Sequence, residues 1–274
     1  MNTRIHDAVA SSYNSADGPI ALKNETVFAR LRQRWAGRQQ PLRVADLGVG
    51  DGALLEQLSA LPLPWQLTGL DVSAAMLARA ARRVALTPVL APAQEAAAHL
   101  PAASFDLVLA HFILAYVPRR PLLAQARQLL APGGLFSLAT TVLEGGENLL
   151  HLMHGPFGRG WHPGRRLLAW AARRGQRRSH VPASYAALAA ELAATGWAVR
   201  HRATLRQPIC LANAAQAYRF IVEDGWGANA LAVPGLPLGL VQAAVRYTTT
   251  LLPYPLAFCL TVEVLELEPT DGNG

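Results

Sequence analysis

The chain has 274 residues, 51% of them hydrophobic and 16% charged, with a formal charge of +7. That apolar content excludes a disordered chain and is ample for a core, in one large domain or two small ones. The basic balance raises nucleic acid, anionic lipid and acidic substrates as partners, but Lys23 is the only lysine and every other position of the Lys/Arg type is arginine, a skew that a GC-rich coding sequence produces without any binding role.

In chain order, the opening "MNTRIHDAVASSYN" lacks the apolar stretch of a signal peptide. No apolar run reaches the ~18–20 residues that span a bilayer, so a soluble, cytoplasmic protein is expected. "LRVADLG" (42–48) reads as a buried strand, "DGALLEQLSAL" (51–61) as a helix and "WQLTGLDV" (65–72) as a second strand. "SAAMLARAARRVA" (73–85) reads as a helix with Ser73 as its N-cap. "TPVLAP" (87–92) is a short third strand and "FDLVLAHFIL" (105–114) a fourth. "RPLLAQARQLLAPGG" (120–134) is a helix stopped by Pro132-Gly133-Gly134, before a fifth strand, "LFSLATTV" (135–142). This alternation predicts a parallel sheet covered on both faces.

Beyond residue 142 the pattern loosens. A helix is expected over 181–196, a strand over 197–205, a helix over 213–223 and a strong last strand over 256–268. Residues 143–180 and 207–255 interrupt the sheet pattern and are natural substrate-covering lids. Residues 159–178 hold seven arginines. A solvated basic helix is the first reading of that segment; a carboxylate, a diphosphate, an acidic carrier protein or light membrane-surface contact are the functional alternatives. Cys210 and Cys259 belong to no C-x-x-C pair, and two buried thiols are expected.

The stretch "VADLGVGDG" (44–52) sits where an open parallel sheet binds ligands, after its first strand. A dinucleotide fingerprint has the spacing G-x-G-x-x-G and offers amides to a pyrophosphate. Here the spacing is G-x-G-x-G with Asp46 in front. An acid at that position repels phosphate and suits an ammonium. Asp71, ending the second strand, is a carboxylate able to accept two hydrogen bonds from a ribose diol. Together they describe a nucleoside joined to an amino acid.

These segments resemble the class I S-adenosylmethionine-dependent methyltransferases. "VADLGVGDG" is similar to the family's first motif, "LTGLDVSAAMLARA" to its second, "SFDLVLAHFILAYV" to its fourth-strand motif and "LLAPGGLFSLATT" to its helix-turn-fifth-strand signature. The resemblance implies a Rossmann-like α/β fold: seven strands, mostly parallel with an antiparallel last strand, helices on both faces, and lid insertions after strands 5 and 6. It implies one domain over 1–274, with a lead-in and lid segment at 1–40, a cofactor-binding half at 41–142 and substrate-covering insertions at 143–180 and 207–255. It also implies S-adenosyl-L-methionine as cofactor, held by Asp46, Gly48 and Gly50, with Asp71 on the ribose, Val72 and Met76 beside the adenine, and Ala110 and Phe112 of the fourth-strand motif. Pro92 stands where relatives often carry an acid near the adenine amine, so Gln94 or Glu95 is expected in its place. Tyr13, in "SSYNSADG", is the candidate to close over the sulfonium.

For the acceptor, the [DN]-P-P-[FYW] motif of amino-methylating nucleic-acid enzymes is replaced by "AHFIL", and neither cysteine has the Pro-Cys context of cytosine enzymes. A small molecule is favoured over nucleic acid. His111 is the candidate base, with a core histidine as the competing reading; His151, His154 and Tyr254 are candidate substrate contacts. His151 and His154 do not make a metal site, since the spacing lacks a third ligand. "YPLAFCLTVEVLELE" and "LATTVLEGGENLL" are similar to stretches of malonyl carrier-protein O-methyltransferase, which implies methyl-ester formation on a fatty-acid or acyl-carrier substrate, with an acyl carrier protein as partner. C-methylation of a quinone, polyketide or prenyl diphosphate is the alternative within the cofactor class. A non-catalytic cofactor-binding regulator or scaffold is the alternative outside it.

Overall fold

The structure is a computed structural model. It describes Asp7, Ala10, residues 18–144, Trp170, Arg177 and residues 179–227, 235–252 and 254–270. The elements in order are α1 (Gly18–Arg34), β1 (Leu42–Leu47), α2 (Ala53–Ser59), β2 (Trp65–Asp71), α3 (Ala74–Arg83), β3 (Thr87–Leu90), a 3-10 turn (Ala93–Ala98), β4 (Phe105–His111), α4 (Arg119–Leu129) and β5 (Leu130–Val142). There follow α5 (Tyr185–Ala194), β6 (Trp197–Leu211), α6 (Ala214–Tyr218) running into a π turn (Arg219–Glu223), α7 (Leu238–Thr249) and β7 (Leu256–Pro269).

The strands form one seven-stranded sheet in the order β3-β2-β1-β4-β5-β7-β6. β1 to β5 pair in parallel and β7 runs antiparallel between β5 and β6. This is the expected Rossmann-like α/β sheet. β1 has β2 on one side and β4 on the other, so the strand order reverses there and the carboxyl ends of β1 and β4 border a crevice.

The period of two along each strand sorts the side chains into two cores. Ala45, Leu47, Val108, Ala110, Phe136, Leu138, Leu265 and Leu267 face α4 and α5. Val44, Leu107, Leu109, Leu135, Ala139, Val262 and Val264 face α1 and α2. Asp46, His111 and Ser137 fall in step with the second set, so the polar residues that end or interrupt these strands turn towards α1. A third cluster joins α6, the π turn and α7 to the ends of β6 and β7, through Phe220, Ile221, Val241, Val245 and Phe258.

Several boundaries differ from expectation. The α4 helix stops at Leu129, and Pro132-Gly133-Gly134 lies inside β5. Phe105 pairs with Leu130 but Leu107 with Leu135, so these residues form a bulge where the missing proline N–H breaks no ladder. β6 runs to Leu211 rather than 205, pairing Leu211 with Leu256. Pro208 is tolerated because β6 is the sheet edge and needs partners on one side only. Two helices were not expected: α1 in the lead-in segment, and α7 within the Gly/Pro-rich stretch. Cys210 is exposed and Cys259 half-buried, both free, because the alternating edge strand turns Cys210 to solvent; the expectation of two buried thiols is corrected. Among the described residues no helix is long and apolar enough to cross a membrane.

Candidate functional site

The glycine loop is bent by its own hydrogen bonds. The Gly48 and Val49 amides both donate to the Leu70 carbonyl, at 2.7 and 3.0 Å. Gly48, Gly50 and Gly52 all take positive φ, at 103°, 55° and 81°, which L side chains resist. A Cβ on Gly52 would stand 2.8 Å from the Ala80 Cα, so this glycine is also demanded by the contact of α2 with α3.

Asp71 locks the loop from the neighbouring strand. Its Oδ2 accepts from the Gly50 amide at 3.0 Å and its Oδ1 from the Ser73 amide at 2.9 Å. Ser73 caps α3 as expected, accepting from the Met76 amide at 3.1 Å, and its hydroxyl meets Asp7 Oδ1 at 2.5 Å. Met76 is buried against Ala10 and Ala75. Asp7 and Ala10 of the lead-in segment thus rest on the start of α3, beside the half-buried Val72.

Asp46 is 5% exposed. Among the described residues its carboxylate has neither a hydrogen bond nor an ion pair. Burial pushes it up to about 7, against the lowering charge of Lys23 and with a further rise from Asp71. A buried carboxylate in that condition calls for a cationic donor. Asp51 is equally buried and faces Arg83 at 3.1 Å and Arg79 at 3.8 Å.

Behind Asp46 stands Lys23 of α1, 3% exposed. Its Nζ lies 3.2 Å from His111 Nδ1 and 5.7 Å from the centre of the Phe112 ring. His111 Nε2 lies 3.0 Å from Ser137 Oγ. Lysine only donates, so Nδ1 accepts and Nε2 carries the proton that reaches Ser137. Burial, then the Lys23 charge, holds His111 well below the usual histidine value, with the Ser137 bond opposing them. The imidazole is neutral and both of its nitrogens are engaged within the protein.

Phe112 adopts the left-handed φ of 56°, a strain typical of functional turns. Its ring meets Trp226 edge-on at 5.7 Å; Trp226 stacks on Phe220 at 5.7 Å, and Phe220 packs on Phe258 at 5.5 Å. An aromatic wall therefore runs from the end of β4 into the third core cluster. Tyr116 joins that cluster, its phenol pushed up to about 12 by burial and by the Asp71 charge.

On the adenine side, Gln94 Oε1 is buried with no hydrogen-bond partner among the described residues. Glu95 is exposed. Ala110 is fully buried in the sheet core. The Tyr254 hydroxyl donates to the Thr249 carbonyl at 2.7 Å, holding its own turn within the third cluster. Tyr13, His151 and His154 lie outside the described residues, as does the arginine-rich segment except Trp170 and Arg177. Sequence reading passed over Lys23, Ser137 and Trp226; for Lys23 a signal existed, since it is the sole lysine in the chain. Among the described residues no group of His, Cys, Asp and Glu is placed to hold a metal.

Residues 45–136 match the family model described as a methyltransferase domain. The fold is similar to a methyltransferase of Geobacter sulfurreducens, whose structure holds S-adenosyl-L-homocysteine, with TM-score 0.59 and 18% identity over 97% of this chain and 98% of that one. It is similar to YjhP of Escherichia coli, with TM-score 0.57 and 16% identity over 96% and 99% of the two chains. It is also similar to YcgJ of Bacillus subtilis, with TM-score 0.55 and 16% identity over 90% and 100%. No curated protein matches the sequence.

Proposed function

We propose that this chain, whose residues 45–136 match a methyltransferase-domain model, is a class I S-adenosylmethionine-dependent methyltransferase and methylates a carboxylate oxygen of an apolar small molecule, forming a methyl ester. The cofactor supplies an electrophilic methyl group. The residues present fit it: among the described residues, a buried carboxylate without a donor at Asp46 and a buried acceptor without a donor at Gln94, with a glycine loop pinned by Asp71. In this reading Asp46 meets the amino-acid end, Asp71 the ribose and Gln94, rather than the exposed Glu95, the adenine amine.

The observation that carries the choice of acceptor is the state of His111. A hydroxyl nucleophile needs a base to take its proton; a carboxylate arrives ionised and needs only positioning. With Nδ1 taken by Lys23 and Nε2–H committed to Ser137, the imidazole has no free lone pair to act as that base. His111 then shapes the pocket instead of moving a proton. The wall Phe112–Trp226–Phe220–Phe258 supports an aliphatic or aromatic acyl body. An acyl body of that kind fits a fatty-acid or acyl-carrier substrate.

Tritiated methyl transfer, run in parallel on fatty acids, carrier-bound acids and prenyl diphosphates, tests this reading. Label released by mild base as methanol is expected from an acid substrate. Base-stable label on a prenyl or quinone carbon overturns it in favour of C-methylation. Calorimetry with S-adenosylmethionine tests the level beneath: Asp71→Ala should weaken binding at least tenfold, and silence from the wild type removes the catalytic reading.

A further inference from the structure

In the reading above Lys23 only occupies His111 Nδ1, and its surroundings give it a further role. It is the chain's sole lysine, 3% exposed, on the helix that covers the face to which Asp46 and His111 turn. The groups facing it come from several elements. β1 brings Asp46, the glycine loop brings Asp51, and β4 brings His111. Asp51 is balanced by Arg79 and Arg83. β6 and β7 also pack on α1, but Glu263 is tied to Arg202 and Glu266 to Arg30. The one carboxylate of α2, Glu56, pairs with Arg83. Asp46 is therefore the anion that balances Lys23, and among the described residues it has no other cation.

We propose that Lys23 is the resident counter-cation of Asp46 and that it gives up its charge, as a proton to solvent, when the ammonium of S-adenosylmethionine reaches Asp46. This rests on the assignment of Asp46 to the amino-acid end of the cofactor. Two buried cations cannot share one buried carboxylate without a Coulombic penalty. The ammonium of Lys23 becomes a neutral amine, and the proton leaves for the buffer. A neutral amine still donates a hydrogen bond to His111 Nδ1, so the Lys23–His111–Ser137 chain keeps its geometry when the charge is lost. Burial favours the same direction, since desolvation already brings Lys23 down to about 8. Proton exchange is then available near neutrality rather than above pH 10.

The sign follows from linkage. Below about 8 the free protein holds a proton on Lys23 that the complex does not, so affinity rises with pH and levels off above that value. If one proton is released, the gain between pH 7 and pH 9 is about tenfold. The cofactor's own amine titrates near pH ~7.7–8.0, and the Asp46 carboxyl titrates as well. Both contributions remain in a Lys23→Arg variant, which keeps the cation that lowers Asp46, so the ratio of wild-type to Lys23→Arg affinity isolates the loss of charge at Lys23.

The experiment is titration calorimetry of S-adenosylmethionine and S-adenosylhomocysteine into wild type and Lys23→Arg, at pH 7, 8 and 9. Each titration is run in two buffers of different ionisation enthalpy, with thermal unfolding as a check on folding. The wild type should release more protons at pH 7 than Lys23→Arg, and the ratio of their affinities should change about tenfold across the range. Lys23→Arg, which keeps its charge, should bind more weakly than wild type at pH 9. Equal proton release by wild type and Lys23→Arg, or an Arg variant that binds as tightly as wild type at pH 9, overturns the role of Lys23 while leaving the cofactor assignment intact. Absence of binding by the wild type instead removes that assignment, and this inference with it.

Discussion

At the scale of single residues, the site is a set of buried polar groups held in defined protonation states. His111 is neutral in the folded protein, and its value lies below that of an exposed histidine. The unfolded chain therefore binds a proton that the folded chain refuses. Its contribution to stability is complete above pH ~6.5 and is lost as pH falls below it, at up to about 1.4 kcal/mol per pH unit. Urea unfolding at pH 7 and pH 5 should show a smaller loss for His111→Gln than for wild type; equal losses would mean that His111 is charged or exposed in the native state. On the adenine side, Gln94→Ala should weaken cofactor binding about tenfold, while Glu95→Ala leaves it within twofold, since only Gln94 offers a buried acceptor. The reverse order, read by calorimetry, would move the adenine contact to Glu95. Asp46 and Asp71 were legible as candidates because their types and spacing carry the chemistry themselves. The engagement of His111 was not, because Lys23 and Ser137 lie 88 and 26 residues away in sequence.

At the scale of elements, the glycine loop and the aromatic wall can be separated by substitution. Gly52→Ala forces a Cβ against the Ala80 backbone and strains a positive φ, so it should destabilise by about 2–3 kcal/mol. At Gly50 a Cβ meets nothing within 4 Å, and only the φ strain remains, about 1–2 kcal/mol. Denaturant midpoints measure the difference, and equal effects would show that φ alone decides. Trp226→Ala removes the link between Phe112 and Phe220. It should raise the acceptor KM several-fold while leaving cofactor affinity unchanged; a change confined to the cofactor would detach the wall from the acceptor. Strands β1 to β5 were legible because parallel strands buried on both faces read as apolar runs. The α7 helix was not, because Gly and Pro residues break its local signal, while its burial at Val241, Val245 and Thr248 follows from packing over β6 and β7. The end of β6 was missed because only its place at the sheet edge makes Pro208 acceptable.

At the scale of the whole molecule, the two ends of the chain are tied by charge across the sheet. Arg30 of α1 holds Glu266 of β7 through two bonds of 3.0 and 3.1 Å, and Arg202 of β6 holds Glu263 of β7 through two of 2.8 and 2.9 Å. Both carboxylates are nearly fully buried while both arginines reach solvent. Removing the cation from such a pair leaves a buried charge with fewer donors. Arg202→Met should destabilise by about 1–3 kcal/mol, the Thr204 hydroxyl remaining as a donor to Glu263, whereas a double Arg202→Met, Glu263→Leu chain should recover most of that loss. A double variant as unstable as the single one, by thermal unfolding, would show that packing rather than charge dominates there. The sequence by itself determined the alternating sheet, the glycine loop after β1 and the acids that end β1 and β2, since each depends on local periodicity, turn chemistry or residue type. Only the tertiary structure decided that β7 inserts between β5 and β6, that α1 carries the lone lysine onto His111 on the face of Asp46, and that Trp226 meets Phe112. Those pairings join residues far apart in the chain, and no local preference of either partner encodes the distance between them.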